Sequence, residues 1–494
     1  MSEYKPTIGL EIHAELKTNT KMFCGCLNDP EEKHPNVNVC PICLAHPGTL
    51  PVINRQAVEA VIKLGYAVGG IIPKTSHFDR KSYFYPDLPK GYQISQYENP
   101  LVEGGSLLGV RIKRVHLEED TGRLIHSSPS TGSGRPASLV DFNRAGIPLM
   151  ELVTEPDIKN AEQAVKFAKE LQLILRYLGI SDADMEKGQM RVEANISVSD
   201  SGDMGVKVEV KNINSFKAVK DAIDYEINRQ KQVIEAGDPE GSRQGGTYGA
   251  GKIIQETRGW DDVKRITKSQ RTKESAHDYR YFPEPDLPPL EFSDAVLEKI
   301  KLELPELPEA KRIRFMKEFG FNREQAETII ADRFAAQYFE SAVSELLEFQ
   351  PELTPFSLLY NYFTSDLWGL MAQKGIGFGD LKIPPEHLAH LVSLIADETF
   401  SSRMAKDVLA KMFDSGLDPE AIIKESGLTQ MGDEEDLTAI IEEVIKENLP
   451  AVEDVKKGKQ NAVQFLIGQA MKKSKGRAKP EAVKKLLDRH IKTL

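Results

Sequence analysis

The chain has 494 residues, enough for roughly two to four ordinary domains and a large buried core. Hydrophobic residues make up 40% and charged residues 28%, which excludes the disordered and fibrous classes, and a net charge of −11 excludes a surface coated in positive charge for indiscriminate nucleic-acid binding. No segment approaches the ~18 consecutive apolar residues of a membrane-spanning helix and the N-terminus has no signal-type apolar stretch, so a cytoplasmic protein with no membrane partner is expected.

The first predicted strand is Ile8-Gly9-Leu10-Glu11-Ile12-His13-Ala14-Glu15-Leu16, with an apolar side chain at every even position. Period-2 alternation therefore puts Glu11, His13 and Glu15 together on the other face, where acid and imidazole can converge on one cation. All four cysteines follow within twenty residues, as Cys24-Gly-Cys26 and Cys40-Pro-Ile-Cys43. Two close thiol pairs in a reducing compartment suit a closed tetrahedral zinc site of structural type; a metal-free or redox pair is the alternative. The segment from Phe78 to Gln96 mixes Tyr83, Phe84, Tyr85 and Tyr92 with Arg80, Lys81 and Lys90, a composition able to stack a base or to pack between domains.

More carboxylates arrive on later strands. Val115-His116-Leu117-Glu118-Glu119-Asp120 ends in three acids, and Glu151 interrupts the apolar run from Pro148 to Val153. Arg191, Glu193, Asn195 and Ser197 alternate with apolar residues, and Glu209 and Lys211 continue the pattern. If these strands share one sheet, its polar face is a bed of carboxylates with Arg and Lys, suited to Mg²⁺ and a polyphosphate; a solvated sheet face is the competing account. The stretch Gly246 to Lys252 has the glycine and lysine spacing of a phosphate-binding loop, but Ile253 replaces the magnesium-ligating Ser or Thr, so it is read as a loop only.

Proline density from Phe282 to Pro289 marks the end of the strand-rich part, and the remainder of the chain reads as amphipathic helix, including Glu309 to Phe319 and Phe334 to Phe349. The expected organisation is α+β: a sheet domain at 1–292, a helical domain at 293–400 and a helical tail at 401–494. Asp418-Pro419-Glu420 is a predicted helix start, and the acids 433–436 are helix-start charge rather than a metal site. From Ala451 onward twelve Lys and Arg stand against four acids, the polarity of a polyanion-contacting module on an acidic protein. A solvated helix face would give the same count.

Together these segments carry a specific resemblance. Ile8 to Leu16, Phe78 to Asp87, Leu117-Glu-Glu-Asp-Thr-Gly122, Met190 to Ser197, Lys211-Asn-Ile-Asn-Ser-Phe216, Gln255-Glu-Thr-Arg258 and Asp278-Tyr-Arg-Tyr-Phe-Pro-Glu-Pro-Asp286 resemble, in order, the motifs of the GatB family of aspartyl/glutamyl-tRNA amidotransferase subunits. The run Gly468 to Pro480 resembles that family's YqeY-like tail. The resemblance implies a mixed or antiparallel "cradle" sheet with a glutamine synthetase-like fold, then helical domains, the last contacting tRNA. It implies ATP-dependent amidation of Glu-tRNA(Gln) or Asp-tRNA(Asn), with ammonia from the glutaminase subunit GatA and with GatC holding the pair together. It also implies magnesium at Glu11, His13, Glu119 and Glu151, with Glu118 and Glu193 as neighbours and Lys211 and Arg191 as phosphate or carboxylate contacts. The cysteines Cys24, Cys26, Cys40 and Cys43 resemble the zinc site of some family members. Two other classes remain open: a zinc-stabilised tRNA-binding adaptor without catalysis, and a stand-alone ATP-dependent amide ligase, which would leave the basic tail without a task.

Overall fold

A computed structural model describes residues 4–127, 137–200, 204–236, 253–272, 279–350, 355–397, 402–426, 434–456, 459–474, 478 and 480–493. The glycine-rich stretch Gly246 to Lys252 lies outside them, as do Asp278 and the expected tail start Ser401. The chain divides into two compact units, Met1–Pro308 and Glu309–Leu494.

The first unit is built on a sheet whose strands run β1 (Lys5–Glu15), β2 (Val102–Glu103), β3 (Ser106–Leu107), β4 (Val110–Glu119), β5 (Pro148–Thr154), β6 (Met190–Ser199), β7 (Val208–Ile213), β8 (Glu256–Asp261) and β9 (Ile266–Thr272). Their spatial order is β9-β8-β7-β6-β1-β5-β4-β2, with β3 paired to β4. All pairs are antiparallel except β7 with β8, so the sheet is mixed, as expected of the cradle. The first predicted strand thus occupies a central position, flanked by two strands that bring acids of their own.

Alternation along β1 sets the layering. Ile8, Leu10, Ile12, Ala14 and Leu16 are all 2% exposed or less and join the main core. That core contains the apolar sides of α1 (Arg55–Ala67), α2 (Ala161–Tyr177) and α3 (Phe216–Ala236), among them Val61, Phe167, Leu171 and Ile223. Asn54 and Asn160 start α1 and α2 by accepting the backbone N–H groups of Ala57 and Gln163, which offsets donors that a helix N-terminus leaves unpaired. With the helices on the apolar side, the polar side is left for chemistry. A three-stranded ribbon of Phe282–Pro283, Asp79–Ser82 and Tyr92–Ser95 carries the aromatic-basic segment up against β4, where the Ser95 hydroxyl and the Ile94 N–H donate directly to its acids.

The second unit is helical among its described residues. Helices Pro308–Phe319 and Arg333–Phe349 fall where the periodicity places them, a further helix, Arg323–Ile330, lies between them, and Phe315, Phe321, Phe339 and Phe363 form a buried aromatic knot. Asp418 caps Pro419–Ser426 by accepting the Glu420 N–H, and Glu434–Glu447 begins at the acidic run, as helix-start charge requires. The tail has its own apolar cluster of Leu437, Ile441, Leu466, Val483 and Leu487. No helix among the described residues is long and apolar enough to cross a membrane.

Phe167 is fully buried at the interface of α2 and the sheet. Phe167→Ala is expected to destabilise the first unit by about 3–5 kcal/mol, whereas Val263→Ala, at a side chain 93% exposed, should lie within about 0.5 kcal/mol of wild type. Thermal or denaturant unfolding with a probe in the first unit checks this; equal shifts would contradict the layering.

Candidate functional site

The polar face of β1 assembles the site by register. His13 lies directly opposite Glu151 on β5 and Arg191 on β6, while Glu151 in turn lies opposite His116 on β4. Glu11 lies opposite Glu193. Side chains directly opposite in an antiparallel pair share a face, so this register gathers acids from three strands round one imidazole. His13 Nε2 is 3.2 Å from Glu151, 3.7 Å from Glu118 and 3.8 Å from Glu11. On the far side, His116 Nε2 is 3.5 Å from Glu151 and 3.7 Å from Glu118. One donor atom from each of His13, Glu118 and Glu151 lies within 4.8 Å of the others, and the same holds for Glu11, His13 and Glu193.

These groups are largely withdrawn from water, and their protonation responds to one another. Burial, followed by the charge of Glu151, pushes Glu11 up to about 7. For His13 burial works against the charged ring, but the hydrogen bond to Glu151 and the negative charges of Glu151, Glu193 and Glu118 overcome it and raise the ring to about 9. Burial alone would also raise Glu151 and Glu118; the imidazoles of His116 and His13 and the ammonium of Lys81 instead hold both below the usual carboxylate range. Lys81, itself opposed by burial, is raised by Glu118, Tyr281 and Glu151. Its ammonium lies 5.3 Å from the Tyr279 ring centroid and 6.0 Å from that of Tyr83, an aromatic wall that keeps the cation beside the acids. A cluster with this excess of buried carboxylate favours a divalent cation with oxygen and imidazole ligands.

Three of the four residues expected round magnesium, Glu11, His13 and Glu151, come together here. Glu119 does not, and the reason is the strand's period of two: Glu118 takes the inward position, so its neighbour must point to the opposite face. There the Glu119 carboxylate is 2.6 Å from Lys90 Nζ and accepts the Ile94 N–H at 2.9 Å. It borders a cavity of about 200 Å³ whose wall also includes Cys24, Cys43 and Tyr92. Glu118, expected only as a neighbour, is the acid that joins His13 and Glu151, with Ser95 Oγ donating to it at 2.9 Å.

The expected phosphate contacts are near but engaged. Lys211 is 2.6 Å from Glu193 and 3.8 Å from Glu209, brought there by a register shift between β6 and β7 that places Asn212 at φ +63°. Arg191 turns from its place opposite His13 toward Asp120, 3.0 Å away, which it shares with Arg144. Glu15 stands beyond the cluster, where burial first and the charge of Asp120 next push it up to about 7. His116 and Lys81 are the residues sequence reasoning passed over. His116 shares Glu118's parity on its strand, a signal that was present; Lys81 approaches from a separate ribbon, and nothing local announces it.

The cysteines also converge. One sulfur from each of Cys24, Cys26, Cys40 and Cys43 lies within 4.8 Å of the other three, and Cys40 Sγ and Cys43 Sγ are 3.9 Å apart. Zinc–sulfur bonds of about 2.3 Å in a tetrahedron require sulfurs about 3.8 Å apart, so this donor set fits a closed metal centre. No cysteine is paired in a disulfide.

Residues 6–298 match the family described as the GatB/GatE catalytic domain, and residues 337–491 match the GatB domain. Among curated relatives, the B subunit of an aspartyl/glutamyl-tRNA(Asn/Gln) amidotransferase from Carboxydothermus hydrogenoformans is 44% identical, covering 99% of this chain and 98% of that protein. The proteins of the same description from Symbiobacterium thermophilum and Gloeothece citriformis are 45% and 42% identical, over 98% and 99% of this chain and 97% and 98% of their own lengths.

Because neighbouring acids face opposite ways, Glu118→Gln is expected to weaken Mn²⁺ binding about tenfold or more, and Glu119→Gln to leave it within about twofold. Titration followed by electron paramagnetic resonance reads both; a larger effect at Glu119 would overturn the assignment of faces.

Proposed function

The chain belongs to the GatB family of aspartyl/glutamyl-tRNA(Asn/Gln) amidotransferase B subunits, and on that premise we propose that the polar face of β1 is where a tRNA-borne carboxylate is activated and amidated. The chain is an amidotransferase subunit carrying the catalytic domain of its family. The observation that carries the finer reading is the convergence of His13, Glu118 and Glu151 on one buried point, with Glu11 beside it.

An ionised carboxylate is a poor acylating agent. ATP converts it to an acyl phosphate with release of ADP; ammonia then attacks the acyl carbon, phosphate leaves, and a proton is given up as the amide forms. Glu11, Glu118, Glu151 and, once its proton is displaced, His13 would hold magnesium, which when bound supplies positive charge to the phosphoryl group in transfer. Lys81 contributes a second fixed positive charge from the opposite wall, locked in place by Tyr83 and Tyr279. Lys211 and Arg191 reach the same face, each presented by a carboxylate that fixes its direction. The helices behind the sheet exclude water from the other side, so these charges act in a medium of low polarisability.

On the same reading, the four cysteines hold structural zinc, the partners are the glutaminase subunit GatA and the small subunit GatC, and the setting is the cytoplasm. The helical segment 293–400 connects the catalytic sheet to a tail, 401–494, that contacts misacylated tRNA through its lysines and arginines. Among that tail's described cations, Lys473 is tied to Glu443 and Glu447, and Lys459 to Asp454.

Reconstitution with GatA and GatC, measuring ATP-dependent amidation of Glu-tRNA(Gln) and Asp-tRNA(Asn) in parallel, tests the reading. His13→Ala and Glu151→Gln should each lower amidation by about 10²-fold or more while glutaminase activity without tRNA persists; undiminished amidation would leave a binding adaptor as the surviving account. Removing 401–494 should weaken tRNA binding and make it less salt-dependent, and equal affinity after truncation would remove the tail assignment.

A further inference from the structure

Lys21 has no exposed surface, and among the described residues no carboxylate pairs with it. Its backbone is fixed at both ends: its N–H donates to the Cys26 carbonyl at 2.9 Å, and its own carbonyl accepts from Asn54 Nδ2 at 3.2 Å. Gly146, at φ +85° in the left-handed region where glycine is favoured, closes over the stem; a Cβ there would stand 3.6 Å from Lys21 Cδ and 3.7 Å from Cys43 Cβ. The side chain therefore has one course, and its Nζ ends 3.2 Å from the Phe142 carbonyl oxygen and 3.9 Å from Cys43 Sγ. An ammonium withdrawn from water needs both acceptors and an opposing charge. The carbonyl is an acceptor without net charge, so the opposing charge must come from the thiolates.

The requirement is mutual. Four thiolates round a divalent ion leave an excess of two negative charges, in a position where two of the cysteines are themselves buried. We infer that Lys21 is the counter-charge of the four-cysteine metal centre, its ammonium donating to the Cys43 thiolate and balancing part of the excess negative charge inside the fold. This rests on the reading of the quartet as a metal site. Lys21 touches a ligand and not the metal, so it is a positioning residue, in the manner of outer partners that orient and tune metal ligands elsewhere.

The test uses the full chain. Lys21→Met, which keeps the stem and removes the charge, should release Zn²⁺ to a chromogenic chelator about tenfold faster than wild type. With Co²⁺ in place of Zn²⁺, loss of the N–H to sulfur bond should shift the thiolate-to-cobalt charge-transfer band, a change that loosened packing alone would not produce. Lys21→Arg should restore the release rate, and Lys17→Met, on a side chain 64% exposed and bonded to Asp182, should leave it unchanged. Zinc release and a cobalt spectrum identical to wild type in Lys21→Met would overturn the inference. Should that variant fail to fold, wild-type protein decides: an amine-acylating reagent should modify Lys21 after chelation and spare it before, and equal modification in both states would overturn the inference. Wild type that takes up neither Zn²⁺ nor Co²⁺ would instead remove the metal site itself.

Discussion

Carboxylates brought together out of water repel one another, and this single constraint organises the first unit. Glu11, Glu118, Glu151 and Glu193 share one side of a sheet whose other side is packed with helices, so solvent cannot dilute their charge from behind. The fold answers with partners placed at their edges: the imidazoles of His13 and His116 between the acids, Lys81 from the tyrosine wall, Lys211 against Glu193. The two lysines leave part of that negative charge uncompensated, which is why a further positive ion would be favoured among these acids. The same principle recurs in smaller form at the cysteines, where a buried lysine faces a cluster of sulfur.

Much of this was legible along the sequence because a strand has a period of two. The even-numbered apolar residues from Ile8 to Leu16 announced both the buried side of β1 and its opposite, and the alternation from Arg191 to Ser197 did the same for the strand beside it. The cysteine spacing was equally plain, since ligand pairs that close in sequence have few ways to avoid each other in space. Glu119 marks where such reading fails. In a run of three acids each residue is chemically suitable, and choosing among them requires the parity of the strand relative to its neighbour, which only the pairing of Leu149 with Glu118 settles. Lys81 fails differently: it comes from a short ribbon joined to the sheet by Ser95 and Ile94, a long-range contact with no periodic signature.

The second unit was legible for a different reason. Helices such as Arg333–Phe349 carry a continuous apolar stripe, and their ends coincide with caps and prolines that the sequence displays directly. The aromatic knot of Phe315, Phe339 and Phe363 was not, because its members come from separate helices whose stripes say that they are buried without saying against which partner.

The adjacency of Glu118 and Glu119 has a last consequence. One peptide bond separates an acid of the His13 cluster from an acid bordering the cysteine-walled cavity, and on a strand paired at that point with Pro148 and Leu149 neither turns without carrying the other. The two compartments are thus mechanically inseparable. Any rearrangement that reshapes the cavity is felt across the thickness of a single backbone, and evolution cannot insert or delete one residue there without exchanging the contents of both rooms.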